Sequence, residues 1–308
     1  MKKISVLILT YNNFDFLFDA VNSVANQDYG SIEILLCDDG SDPFPEEMIE
    51  SISLSFKESS KIDFVVLRSS KNEGTVKNIN KGIRNCSGDF IKILAADDYY
   101  PSQDIFSKQV DCCLNNNKSI VVSKYQDVDD KLNIVNSKRT VLSNKYIPIV
   151  LSMDYAKAEK LIRRCDLFPI ATQACIYNRS FFDEFGLFNE EYRLIEDVDM
   201  SERIRQNKQL VMFLDIVSVC HRTCTGVSRK NAIKHDVTLS AYEQDMLVLL
   251  RNRYKKAGQL ERISIHNDID YINLRNNHSG FRFIEYQFVK CGHILKSLFV
   301  RIRQSLFL

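Results

Sequence analysis

The chain has 308 residues, 41 Lys+Arg against 40 Asp+Glu, and a formal net charge of +1. A 45% hydrophobic share with 26% charged residues excludes wholesale disorder. The charge balance excludes a general nucleic-acid binder, which needs a basic excess to displace counterions.

Met1-Lys2-Lys3 before an apolar run at 4–9 imitates the start of a signal peptide. The run is shorter than the roughly 7–15 residues of a signal core and no small-residue cleavage site comes after it. It reads instead as a strand buried on both faces. Phe14, Leu17, Phe18, Val21 and Val24 then recur at helical spacing. Residues 32–37 form a second apolar run, ending in Asp38-Asp39-Gly40-Ser41. A helix-like stretch with Met48, Ile49, Ile52 and Phe56 comes after Pro43. Strands are expected at 64–67 and 90–94, with a helix through Val76, Ile79 and Ile83 between them. Pro101 suits the first turn of another helix.

The middle of the chain predicts a hairpin of 120–128 with 134–135, a helix over 146–165 after Pro148, and a short strand at 174–177. A helix through Phe181-Phe182, a helix at 197–206 and a strand at 210–214 come next. From about 230 the pattern is mainly helical. Strands alternating with helices predict an α/β fold, with a mostly parallel sheet flanked by helices. In such sheets ligands bind beyond the carboxyl ends of the strands. Nine cysteines, odd in number and without a CxxC pair, predict reduced thiols in the cytoplasm rather than a disulfide framework or zinc ribbon.

Three acidic clusters stand out. Asp97-Asp98 lies just after an apolar strand, where a carboxylate pair can hold a divalent cation and, through it, a diphosphate. Asp38-Asp39 lies just after another, where a carboxylate can accept hydrogen bonds from a nucleobase or ribose. Glu196-Asp197-Val198-Asp199 opens a helix, where a carboxylate can act as a general base. Taken singly, each reads as well as a turn or a helix cap. Thr10-Tyr11-Asn12 lies at a third strand end, and the topology is expected to bring it together with Asp38-Asp39 and Asp97-Asp98 in one crevice.

The ordered set resembles the family 2 glycosyltransferases, which have the nucleotide-sugar-binding GT-A (Rossmann-like) fold. It is carried by Ser5-Val6-Leu7-Ile8-Leu9-Thr10-Tyr11-Asn12 and by Glu33-Ile34-Leu35-Leu36-Cys37-Asp38-Asp39-Gly40-Ser41. Asn72-Glu73-Gly74, Asn78, Gly82, Gly88-Asp89-Phe90-Ile91 and Asp97-Asp98 come next, then Phe185-Gly186-Leu187-Phe188, Glu196-Asp197-Val198-Asp199 and Arg203. The resemblance covers residues 1–230. It implies a glycosyltransferase domain there, with a nucleotide-binding half at 1–100 and an acceptor and base half at 101–230. Residues 231–308 would be a helical extension.

The resemblance also implies roles. Thr10, Tyr11, Glu33, Asp38 and Asp39 would contact the nucleotide. Lys77 and Asn78 would lie near the donor, as would Asp97 and Arg222. Asp98 would be the direct ligand of Mn2+ or Mg2+, with Asp97 and His221 as further candidate ligands. Asp197 would be the base of a single inverting displacement. Two departures are visible. Ala95 stands where the family's metal motif commonly begins with Asp. Cys224 stands where a later loop, which also holds Ser228, usually has His. The implied partners are a nucleotide-sugar donor and a glycan or lipid-linked saccharide of bacterial surface polysaccharide synthesis, such as O-antigen or capsule.

Residues 281–308 carry five basic and one acidic side chain among apolar residues near helical spacing. Such a helix can lie on an anionic membrane surface, here the cytoplasmic face, or pack on its own domain or a partner subunit. Two other functions stay open on sequence. A nucleotidyltransferase would need no base at Asp197 and should carry a Gly- and basic-rich phosphate loop, which Thr10-Tyr11-Asn12-Asn13 does not supply. A non-catalytic nucleotide-sugar-binding scaffold subunit is favoured by Ala95.

Overall fold

The first four strands form where β-branched and aliphatic runs end in polar turns. β1 (Ile4–Thr10), β2 (Ile32–Asp38), β3 (Ile62–Arg68) and β4 (Phe90–Ala95) pair in parallel in the order β3-β2-β1-β4. Between them lie α1 (Leu17–Ala25), α2 (Glu46–Ser55) and α3 (Thr75–Asn85). Side chains of β1 divide by parity, as a pleated strand requires. Ile4, Val6 and Ile8 join the core that holds α1 and α2. Leu7 joins the opposite core, with Val76, Ile79 and Ile83 of α3. The structure is a computed structural model that describes residues 1–165, 170–223, 240–256, 258–274 and 289–290.

Beyond β4 the sheet becomes mixed. α4 (Ile105–Asn115) leads into β5 (Ile120–Val128), whose end pairs antiparallel with β6 (Ile134–Val135). α5 (Lys138–Ser152) and α6 (Tyr155–Cys165) come next. β7 (Cys175–Asn178) then inserts antiparallel between β4 and β5. α7 (Arg179–Phe185) and α8 (Glu196–Gln206) come before β8 (Val211–Arg222), which runs parallel to β5. The result is one eight-stranded sheet. α9 (Ala241–Lys256) and α10 (Gln259–Leu274) come after β8.

Two sequence expectations shift. The helix expected over 146–165 is two helices, and the first begins at 138 because Ser137 caps it, accepting the Thr140 N–H. Pro148 lies inside α5 rather than opening it. The strand expected at 210–214 runs on to Arg222, because Val217, Val219 and Cys220 continue the pairing with β5. That extension carries His221 and Arg222 to the carboxyl end of the sheet.

Candidate active site

β1 and β2 end side by side, with Thr10 paired to Asp38. Their loops are stitched together. The Asn12 N–H donates to Ser41 Oγ at 2.8 Å, and the Asp42 N–H donates to Asn12 Oδ1 at 3.0 Å. Thr10 Oγ1 donates to the Asn13 carbonyl at 2.8 Å. Asp38 is fully buried and accepts from both the N–H and the hydroxyl of Ser41. It therefore shapes the turn. Asp39 accepts the N–H groups of Glu73 at 3.0 Å and Gly74 at 2.8 Å. Burial raises its carboxyl above the usual range despite those bonds.

A crevice of about 190 Å³ opens at these strand ends. Thr10, Tyr11, Asp39, Asn78, Asp97, Asp98, Glu196 and His221 are among the residues that line it. Asp39, Asp97, Asp98 and Glu196 therefore share one crevice, whereas Asp38 and Asp197 are not in its lining. Asn78 Nδ2 donates to the Cys37 carbonyl at 2.7 Å, while its Oδ1 is buried without a partner. Lys77, next to it on α3, is not in the lining; its ammonium lies 3.8 Å from Glu73 on the surface.

Asp98 is fully buried. Its Oδ1 accepts the Arg222 N–H at 3.0 Å, and its Oδ2 is buried without a partner. Burial, with a smaller push from Asp97, raises its pKa to about 7. Asp97 accepts Asn13 Nδ2 at 3.4 Å. An orphaned carboxylate oxygen beside a second carboxylate fits a hard divalent cation. Among the described residues no three His, Cys, Asp or Glu side chains form a ready metal site. A bound Mg2+ or Mn2+ would thus complete its shell with substrate phosphates.

Two expected donor contacts lie elsewhere. Glu33 sits at the start of β2, roughly 17 Å of strand from Asp38 at about 3.3 Å per residue. There it accepts from the Ser5 hydroxyl and from the N–H and hydroxyl of Ser87. It ties strand starts together, and is corrected from nucleotide contact to scaffold. Arg222 is 2% exposed and absent from the lining. Its guanidinium donates to the Asp97 carbonyl at 2.7 Å and to Asp19 at 2.6 Å, and stacks 4.1 Å over Phe16. It clamps the Asp97-Asp98 turn to α1 instead of reaching into the crevice.

Asp197 and Glu196 occupy the first turn of α8. Arg139 of α5 lies 3.9 Å from Asp197. Burial raises both carboxyls, and the Asp197 charge raises Glu196 further. Neighbouring carboxylates resist losing both protons, so one proton is held above the usual carboxylate range. Sequence reasoning misses the Glu196 lining, although its adjacency to Asp197 is the available signal. It also misses Asp127, the last residue but one of β5, which meets His221 at 3.2 Å. Burial pulls His221 down, but the bond to Asp127 and the Asp98, Asp127 and Asp97 charges raise it to about 9. Cys224 and Ser228 lie outside the described residues.

A sheet with its crevice beyond the carboxyl ends of parallel strands has the architecture of nucleotide-dependent α/β proteins. Residues 5–186, more than half of the chain, match the model described as glycosyl transferase family 2, and the chain belongs to that family. An uncharacterized glycosyltransferase of Rickettsia conorii is 31% identical over 202 residues, 64% of this chain and 30% of that protein. The Campylobacter jejuni GalNAc(5)-diNAcBac-PP-undecaprenol beta-1,3-glucosyltransferase is 31% identical over 98 residues, 32% of this chain and 30% of that protein. The match therefore spans under a third of either relative. The mannosyltransferase PcManGT of Pyrobaculum calidifontis, solved with GDP-Man and Mn2+, superposes with a TM-score of 0.55 at 11% identity, over 96% of this chain and 75% of that one. That likeness is one of fold, and the fold is the expected GT-A arrangement.

Proposed function

We propose that the chain transfers a sugar from a nucleotide-sugar to a hydroxyl of a lipid-linked saccharide in bacterial surface polysaccharide assembly. The observation that carries this reading is the convergence of Asp39, Asp97, Asp98 and Glu196 on one crevice, with Asp98 Oδ2 buried and unpartnered beside it. The undecaprenol-linked substrate in the name of the Campylobacter relative supports the acceptor class. The GDP-Man in the archaeal neighbour supports the donor class.

In this reading Thr10, Tyr11, Asp39 and Asn78 bind the nucleoside, and Asp38 holds their loop in place. Asp98, with Asp97, would hold Mn2+ or Mg2+, and His221 lines the same crevice. When bound, the cation neutralises the diphosphate leaving group. Asp197 takes the proton of the acceptor hydroxyl as its oxygen attacks the anomeric carbon. The carbon–oxygen bond to the diphosphate breaks on the opposite face, so the anomeric configuration inverts. Glu196 lines the crevice, and Asp197 is the next residue of the same helical turn. Residues 281–308 would rest on the cytoplasmic face of the membrane, where lipid-linked acceptors are presented; they lie outside the described residues apart from 289–290. Among the described residues no helix is long and apolar enough to cross a membrane.

The test is release of nucleoside diphosphate from UDP- and GDP-sugars by the purified chain with Mn2+. Asp197→Asn is expected to lower kcat by about 100- to 10,000-fold while Mn2+-dependent diphosphate binding persists. Full activity in that variant, with the loss found only in Glu196→Gln, would move the base by one residue. Pyrophosphate release from a nucleoside triphosphate would replace the reading with nucleotidyl transfer.

A further inference from the structure

Asp127 has no part in the mechanism above, yet it is 6% exposed and both its carboxylate oxygens are engaged. Ser137 Oγ donates to its Oδ2 at 2.6 Å, and the Thr140 hydroxyl donates to the same oxygen. Its Oδ1 faces His221 Nδ1 at 3.2 Å. The two residues are register partners across the parallel β5–β8 pair, Asp127 opposite His221. Ser137 and Thr140 belong to the capped first turn of α5. Three elements thus fix one imidazole.

With Nδ1 occupied by the carboxylate, Nε2 is the ring nitrogen left to interact. His221 lines the same crevice as Asp97 and Asp98, and its side chain is 42% exposed there. A histidine whose other nitrogen meets a carboxylate has its tautomer and ring orientation set. We infer that Asp127 is a positioning residue that aims His221 Nε2 at the diphosphate of the donor and the cation it carries. This rests on the donor reading above. Arg222, the next residue of β8, points to the other side of the strand, so the β8 end serves both faces: His221 toward the crevice, Arg222 into the clamp on the Asp97-Asp98 turn.

The inference predicts dependence of Asp127 on His221, which a merely structural carboxylate would not show. The experiment is a double-mutant cycle on the full chain, reading the affinity for UDP or GDP at saturating Mn2+ by calorimetry. Asp127→Asn and His221→Gln are each expected to weaken binding about tenfold. The double variant should lose no more than His221→Gln alone. Losses that multiply in the double variant overturn the inference, as does an Asp127→Asn chain with native affinity. Should Asp127→Asn fail to fold, Ser137→Ala removes a donor from the same carboxylate. It should then weaken binding about two- to threefold in the native background and not at all beside His221→Gln; an equal loss in both backgrounds overturns the inference. A native chain that binds neither diphosphate with Mn2+ rejects the donor reading itself, and the inference with it. Native binding with multiplicative losses rejects the inference alone.

Discussion

Asp197 stands between two influences. Burial lifts its carboxyl above the usual range, and the Arg139 guanidinium 3.9 Å away draws it back down. On the same turn burial raises Glu196 to about 8, with further pushes from the Asp197 charge and from Asp245 of α9. A base must be ionised to work, so activity falls as pH drops through its pKa. Arg139→Gln removes the cation that favours the charged form, so the acid limb of the kcat/KM profile is expected to move to higher pH. An unmoved limb would take Asp197 out of the base role or Arg139 out of its field. At this scale the sequence is informative but not sufficient. It places Asp39, Asp97 and Asp98 at strand ends, where they are found. The position of Glu33 is also readable, because it lies five strand positions before Asp38 whatever the tertiary fold. Arg222 is not readable: a strand-end arginine can turn to either face, and only packing against Phe16 and Asp19 chooses one.

Among the elements, the junction at β7 is the least regular. An antiparallel strand sits between two strands of a parallel region, and a polar network spans the site. Lys92 of β4 is fully buried and donates to Gln109 of α4 at 2.6 Å and to the Cys175 carbonyl at 3.3 Å. Gln109 in turn donates to Ser123 of β5 at 3.0 Å. Burial lowers the Lys92 pKa to about 7 from its ordinary 10.5. Between those values the unfolded chain binds more protons than the folded one, so this group makes stability rise with pH. Lys92→Met is expected to reduce the gain in urea-unfolding free energy between pH 7 and pH 9 relative to the native chain. The β2–α2 turn makes a second prediction. Gly40 has φ +77, and a Cβ there would lie 2.5 Å from the backbone of Lys71. Gly40→Ala is expected to cost about 1–3 kcal/mol of stability, read by urea unfolding, with weakened nucleotide binding because Asp39 is the adjacent residue. The hydrophobic period reveals β1–β4 and their helices, since each strand is one apolar run. It misreads α5 because Pro148 suggests a start, while the Ser137 cap sets the real one ten residues earlier.

At the scale of the whole molecule, the boundary expected near 230 does not separate the site from the C-terminal helices. Asp245 of α9 accepts the N–H groups of Arg193 at 2.9 Å and Leu194 at 2.6 Å, directly before the Glu196-Asp197 turn. Leu249 of the same helix joins the core that holds α3 and α8. α9 therefore braces the turn that carries Glu196 and Asp197. Residues 281–308 carry a basic excess, with five basic residues and one acidic residue. Removal of 281–308 is expected to shift the chain from the membrane to the soluble fraction on cell fractionation; an unchanged membrane fraction rejects that segment as the anchor. The sequence by itself determined the α/β class, the acidic strand ends and the family, because these depend on local periodicity and on residue order. Tertiary structure alone decided which side chains share the crevice. The Asp127–His221 pair spans 94 positions and the Arg222–Asp19 pair 203. Such partners are chosen by sheet order and strand register, and no local pattern records those.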